Sequence, residues 1–285
     1  MSLGFSLAGF KVVVAADNWK RAADTYRLNF SHPIIDIDLS DAETAVSILR
    51  PYEPDVIIGG PPCQDFSSAG KRDEDGGKGC LTLSYADIVS RLKPRAFVME
   101  NVERILKTKK LPRAREVFRK AGYGLTERVL DAAYCKVPQF RKRFFLVGVQ
   151  GDPDGFLDTW YDECLAPRPM AVRDWIPDID TDFYYRHPRS YARRAVFSVD
   201  EPSPTIRGVN RPMPENYKFH PGDACKGRSL IRPLTSAERA RIQTFPSDFR
   251  FDGLGKGDME QMVGNAVPVN LACFVATCLK SYLDK

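Results

Sequence analysis

Gly59-Gly60-Pro61-Pro62-Cys63-Gln64-Asp65-Phe66-Ser67-Ser68 follows directly on Asp55-Val56-Ile57-Ile58, and this junction decides the fold. A short run of β-branched residues predicts a buried strand. Two glycines end it, and two prolines fix the turn while removing backbone donors. The turn holds Cys63 at the carboxyl end of a strand, the edge where ligands bind in open α/β sheets. Taken alone, the stretch describes a buried thiol in a tight turn equally well.

Outward from that turn, strands and helices alternate. Helices are predicted over residues 3–10, 20–30, 42–49, 81–92 and 113–121, and strands over 11–16, 34–37, 55–58, 96–99, 125–130 and 144–149. Such alternation predicts an α/β fold with a doubly wound parallel sheet. Asp17 stands at a strand end, where an acidic side chain can hold a ribose hydroxyl pair in such folds. Later, 235–244 and 268–283 read as helices. Thr235 or Ser236 is the candidate N-cap and Glu238 lies in the first turn.

The regular alternation stops at Gly151, where Pro, Tyr, Arg and Asp rise. We read residues 1–150 plus 253–285 as one domain and 151–252 as a smaller, irregular one. The net charge of +5 conceals a segregation. Residues 150–185 hold nine acids against two arginines, whereas 186–232 hold ten Lys and Arg against four acids. The basic half, with Tyr191, Asn210 and Tyr217 among its arginines, predicts a nucleic-acid surface. The seven cysteines form no Cys-x-x-Cys pair, which argues against a zinc site and a disulfide framework; no metal is expected. No apolar run reads as a membrane span and no secretory leader is visible, so a cytoplasmic protein is expected.

Five blocks occur in order: Pro62-Cys63-Gln64; Glu100-Asn101-Val102; Gln139-Phe140-Arg141-Lys142-Arg143; Arg232-Pro233-Leu234-Thr235 with Glu238, Arg241, Gln243, Phe245 and Pro246; and Gly264-Asn265-Ala266-Val267-Pro268. This series resembles the DNA cytosine-5 methyltransferase family in its prokaryotic, restriction–modification form. The resemblance implies a Rossmann-like methyltransferase sheet, S-adenosylmethionine as cofactor, and a target-recognition role for 151–252. It further implies double-stranded DNA as substrate, a monomeric enzyme, and a restriction endonuclease acting on the same site.

The chemistry explains why these residue types must meet. Carbon 5 of cytosine is a poor nucleophile until a thiolate adds to carbon 6, and a thiolate needs a depressed pKa or a nearby cation. By resemblance Cys63 is that nucleophile. Glu100 serves ring nitrogen 3, and a guanidinium holds the ring oxygen, Arg143 as first candidate and Arg141 as second. The resemblance assigns the cofactor to Asp17, Asn18 and Asp38, with Asp36 as an alternative to Asp38, together with Pro62, Leu81 and Asn265. The target base must be flipped out of the duplex. The Gly-rich loop 70–79 is a candidate lid, with Lys71, Arg72 and Lys78 placed for phosphates. Gln64, Ser67, Thr205, Arg207 and Arg211 are further DNA-contact candidates, since arginine is the commonest reader of guanine; residues 203–208 resemble the recognition core.

Members of that family open with a strand and a Phe-x-Gly-x-Gly-Gly loop. This chain opens at Met1-Ser2-Leu3-Gly4-Phe5, just past where that loop would end; an upstream start and an expression leader at Met1-Ser2-Leu3 are the favoured explanations, with a truncated, weakly active relative as the third. Two alternatives stay open on the sequence: a DNA-binding relative impaired in catalysis, and a methyltransferase of tRNA cytosine.

Overall fold

The computed structural model describes residues 1–62, 81–190 and 192–285. The elements run α1 (Ser2–Leu7), β1 (Ala15–Asp17), α2 (Lys20–Asn29), β2 (Ile34–Asp36), α3 (Ala42–Leu49), β3 (Val56–Gly59), α4 (Leu81–Leu92), β4 (Ala96–Val102), α5 (Lys110–Lys120), β5 (Tyr123–Asp131), β6 (Gln139–Phe140) and β7 (Lys142–Gln150). Then follow α6 (Asp158–Cys164), α7 (Val172–Trp175), β8 (Phe183–Tyr185), β9 (Val196–Ser198), β10 (Ser203–Pro204), β11 (Ile231–Pro233), α8 (Ser236–Ile242), α9 (Lys256–Asn265) and α10 (Val269–Leu283).

The central sheet has the order β3-β4-β7-β5. Strands β3 and β4 are parallel, but β7 runs antiparallel to both β4 and β5. The alternating pattern predicted parallel strands throughout. It missed this reversal because β5 and β7 have no long helix between them to carry a parallel crossover. Strands β1 and β2 pair in parallel as a separate two-stranded sheet, with Asp17 opposite Asp36.

Alternation along β4 assigns side chains to opposite faces. Ala96 and Val98 pack with Val147, Leu271, Val275 and Leu279 against α10. Phe97 and Met99 pack with Tyr85, Val89, Leu111 and Phe118 against α4 and α5. A sheet covered on both faces by helices is the doubly wound arrangement. The Phe97 and Phe118 rings stack with centroids 4.0 Å apart; burying such a ring stabilises by about 1.5–3 kcal/mol. Residues 256–283 are apolar and long enough, by length and composition, to cross a membrane. The helix breaks after Asn265, however, and the apolar face of α10 fills the core.

The later residues build a second core from Val172, Ile176, Tyr184, Phe197, Ile206 and Ile242, with Val263 of α9 completing it. Leu157, Tyr161 and Leu165, past Gly151, pack instead in the first core. Helix α8 opens as its sequence predicts. Thr235 Oγ1 accepts from Glu238 N–H, and the Glu238 carboxylate accepts from Thr235 N–H, a reciprocal cap.

Candidate active site

Glu100 lies near the carboxyl end of β4, opposite Phe145, and Arg143 sits opposite Val102 near the start of β7. Paired antiparallel residues share a face, so the register brings the two side chains together. Arg143 Nε lies 2.9 Å from Glu100 Oε1, with side-chain exposures of only 14% and 11%. Arg143 Nη1 donates to the Lys142 carbonyl at 2.7 Å. Burial pushes the Glu100 carboxyl above its ordinary value, and the Arg143 and Arg141 charges only partly offset it. Burial also lowers the Arg143 pKa, against the pull of Glu100.

The turn after β3 folds over this pair. A Cβ on Gly60 would lie 3.2 Å from Glu100 Oε2, and one on Gly59 would lie 2.5 Å from the Tyr85 ring. Glycine at both positions is therefore what lets the turn approach. Asn101 Nδ2 donates to the Pro61 carbonyl at 2.7 Å, while its Oδ1 accepts from Val102 N–H at 2.9 Å. Asn101 thereby clamps the turn to the end of β4. Pro62 is exposed at its end. Cys63, Gln64, Ser67, Lys71, Arg72 and the rest of the 70–79 loop lie outside the described residues, as does Tyr191.

Arg141, the second candidate for the ring oxygen, is 1% exposed, and its guanidinium bonds inside the protein. Its Nη1 donates to the Ile206 carbonyl at 2.9 Å, and its Nη2 reaches the Gly264 and Ala266 carbonyls at 2.9 and 3.0 Å. Burial first, and then Arg143, push its pKa down to about 9, so it stays charged at neutral pH. Gln139, unassigned from sequence, joins the same node. Its Oε1 accepts from Ile206 N–H at 2.8 Å and its Nε2 donates to Gln243 Oε1 at 2.7 Å. Gln243 in turn donates to the Val263 carbonyl at 2.5 Å. Period-two spacing of Gln139, Arg141 and Arg143 is the signal that could have suggested a shared face.

This node ties the start of β7 to both Ile206 and the end of α9. There Gly264 is tightly placed: a Cβ would meet Gly208 N at 2.2 Å. Asn265, next along, is exposed and accepts from Gln261 Nε2 at 2.9 Å.

The other cofactor candidates gather at the carboxyl ends of β1 and β2. Asp17 Oδ1 accepts from Trp19 N–H at 2.8 Å, and Asp38 Oδ1 accepts from Ser40 N–H at 2.9 Å. Each keeps a second carboxylate oxygen for a hydroxyl or amino group. Those acceptor oxygens fit the hydroxyls of a ribose diol and the amino group of an adenine edge. Asn18 is exposed beside Asp17, and Leu81 is half-buried at the start of α4.

Two predicted DNA contacts turn out to face the protein. Thr205 Oγ1 donates to the Phe140 carbonyl at 2.8 Å, and Arg207 Nη2 donates to the His187 carbonyl. Arg211 is exposed.

A model of the C-5 cytosine-specific DNA methylase family matches residues 1–281. The Type II methyltransferase M.HgiDI of Herpetosiphon aurantiacus is 54% identical over 286 residues, covering 100% of this chain and 92% of that protein. M.HindV of Haemophilus influenzae, another Type II methyltransferase, is 53% identical and covers 99% and 93%. Among solved structures, the Dnmt2 methyltransferase of S. pombe superposes with a TM-score of 0.74 at 18% identity, covering 100% of this chain and 96% of that one. A putative DNA modification methyltransferase from an E. coli prophage gives 0.69 at 23% identity, with the same coverage.

Proposed function

From the premise that this chain belongs to the C-5 cytosine-specific DNA methylase family, we propose how its residues divide the work. The chain is a DNA cytosine-5 methyltransferase acting on double-stranded DNA with S-adenosylmethionine. The observation that carries the assignment of roles is the buried Glu100–Arg143 pair under the Gly60-Pro61 turn.

Asp17, Asn18 and Asp38 hold the cofactor's nucleoside, with Pro62, Leu81 and Asn265 closing the pocket. Bound there, S-adenosylmethionine supplies an electrophilic methyl group. Cys63 attacks carbon 6 of the extruded cytosine as a thiolate, which makes carbon 5 nucleophilic. Glu100, its carboxyl raised above the ordinary value by burial, partners nitrogen 3 and shares a proton with it as charge builds there. Arg143 orients Glu100 through Nε, and its Nη2 has no partner among the described residues, so it can meet the ring oxygen. Residues 151–252 supply target recognition, and Gln64, Ser67, Lys71 and Arg72 hold the opened duplex.

The Type II designation of both relatives supports a modification role beside an endonuclease that cuts the same sequence. We take the enzyme to act as a monomer in the cytoplasm, where its substrate lies. Labelled cofactor incubated with duplex DNA tests the assignment. Wild type should yield labelled 5-methylcytosine and Cys63→Ala none. Label in the variant, or in tRNA rather than DNA, would overturn it.

A further inference from the structure

The arginines of the basic half fall into two groups. Arg186 Nη2 donates to the Thr205 carbonyl at 2.7 Å, Arg207 donates to the His187 carbonyl, and Arg239 donates to the Arg207 carbonyl. These three bonds knit residues 186–187, 205–207 and α8 into one shelf. The same shelf is fastened to the catalytic strands by Arg141 on Ile206. Arg239 is further paired with the buried Glu260 of α9. The inner arginines are therefore structural.

Arg189 and Arg211 differ. Both are exposed, and neither guanidinium has a hydrogen bond or ion pair among the described residues. Both stand close enough to the shelf to act on its charges. Burial pushes Arg186 down to about 10, with Arg207 and Arg189 adding to the effect. His187 is lowered by burial and then by Arg211, Arg207 and Arg186. Cations crowded this closely, with Glu260 compensating only Arg239, suit an anionic or acceptor-rich partner.

We infer that Arg189 and Arg211, rather than Arg207, read the DNA sequence, each forking onto O6 and N7 of a guanine in the major groove. The inference rests on the reading of the chain as a sequence-specific DNA methyltransferase. Two features favour base edges over phosphates. A phosphate contact tolerates a mobile side chain, whereas bidentate readout needs a rigid base, and the carbonyl-locked shelf supplies one. Val209, 49% exposed between Arg207 and Arg211, offers an apolar contact that suits a base edge and not a phosphate.

The test is methylation of a randomised duplex library, read by conversion sequencing, with wild type, Arg189→Ala, Arg211→Ala and Lys218→Ala. Wild type should modify one sequence. Each arginine variant should lose about 10- to 100-fold at that sequence and accept other bases at one guanine position. Lys218→Ala, exposed on the same domain, should keep the wild-type preference. If the arginine variants lose methylation equally at every sequence, with a shallower salt dependence, they contact phosphates and the inference falls. If they keep the wild-type preference and rate, it also falls, while the enzymatic reading stands. A wild type that makes no 5-methylcytosine would overturn both.

Discussion

Arg143 Nε stands 2.9 Å from Glu100 Oε1 across the antiparallel β4–β7 register, and both side chains are nearly buried. One partner cannot be removed without stranding the other. Arg143→Ala should lower kcat by about 100- to 1,000-fold through the lost electrostatic support. Glu100→Gln should lower it by about 100- to 10,000-fold through the lost proton donor. Steady-state kinetics on duplex DNA checks both.

The Glu100 carboxyl also makes stability depend on pH. Its folded pKa is raised by burial. Its proton therefore stabilises the fold below the ordinary value of about 4.3, and that contribution is lost as pH rises through the raised value. Thermal melts of Glu100→Gln should lack this decline, and the difference from wild type should change steadily across that window.

Arg141 and Arg143 should separate by readout. Lysine carries its donors on one nitrogen and cannot span the Ile206 and Gly264–Ala266 carbonyls as the two guanidinium nitrogens do, so Arg141→Lys should cost about 2–4 kcal/mol in urea unfolding. Its kcat, measured well below the melting temperature, should stay within about tenfold of wild type. Arg143→Lys should do the opposite, losing about 100-fold in kcat with a smaller loss of stability.

These two arginines also mark the limit of the sequence. The resemblance put Arg143 and Arg141 near the site, but what each meets is a tertiary matter. Register gives Arg143 a carboxylate, whereas segments 65 and 123 residues further along give Arg141 its carbonyls. Local signals fared better. The Thr235–Glu238 cap, α3 and α4 lie where the sequence predicts them, because caps and helical periodicity are written within a few residues. The direction of β7 was not legible, since a strand reads alike in either direction. The strand predicted at 11–16 forms only at Ala15–Asp17, where pairing with β2 decides its extent.

Asp223 should hold the small domain together. Its carboxylate accepts from Ala195 N–H, Val196 N–H, His220 N–H and the Tyr217 hydroxyl, at 2.8 to 2.9 Å. Burial pushes its pKa up, but the bonds from Val196, Ala195, Tyr217 and His220 outweigh it and hold it below the usual carboxylate range. The stabilisation is present above the unfolded value and is lost as pH falls through the folded one. Asp223→Asn turns a donor toward other donors. It should cost about 3 kcal/mol at neutral pH by urea unfolding, and the gap should narrow as the pH is lowered.

Gly264→Ala should disturb the end of α9. The added methyl meets Gly208 N at 2.2 Å, and overpacking of this kind costs about 1–3 kcal/mol. Isothermal titration should also show weaker cofactor binding, because Asn265 and the carbonyls that hold Arg141 shift with it.

We propose that Cys63 bonds to carbon 6 of a cytosine held by Glu100 and Arg143. Duplex DNA carrying 5-fluorocytosine tests it most directly, because fluorine cannot leave as the carbon 5 proton does and the adduct is trapped after methyl transfer. With S-adenosylmethionine present, wild type should give a denaturant-stable one-to-one protein–DNA species. Cys63→Ala should give none, and Arg143→Ala should form it far more slowly. A trapped species in Cys63→Ala, or none in a wild type that methylates ordinary cytosine, would contradict the account.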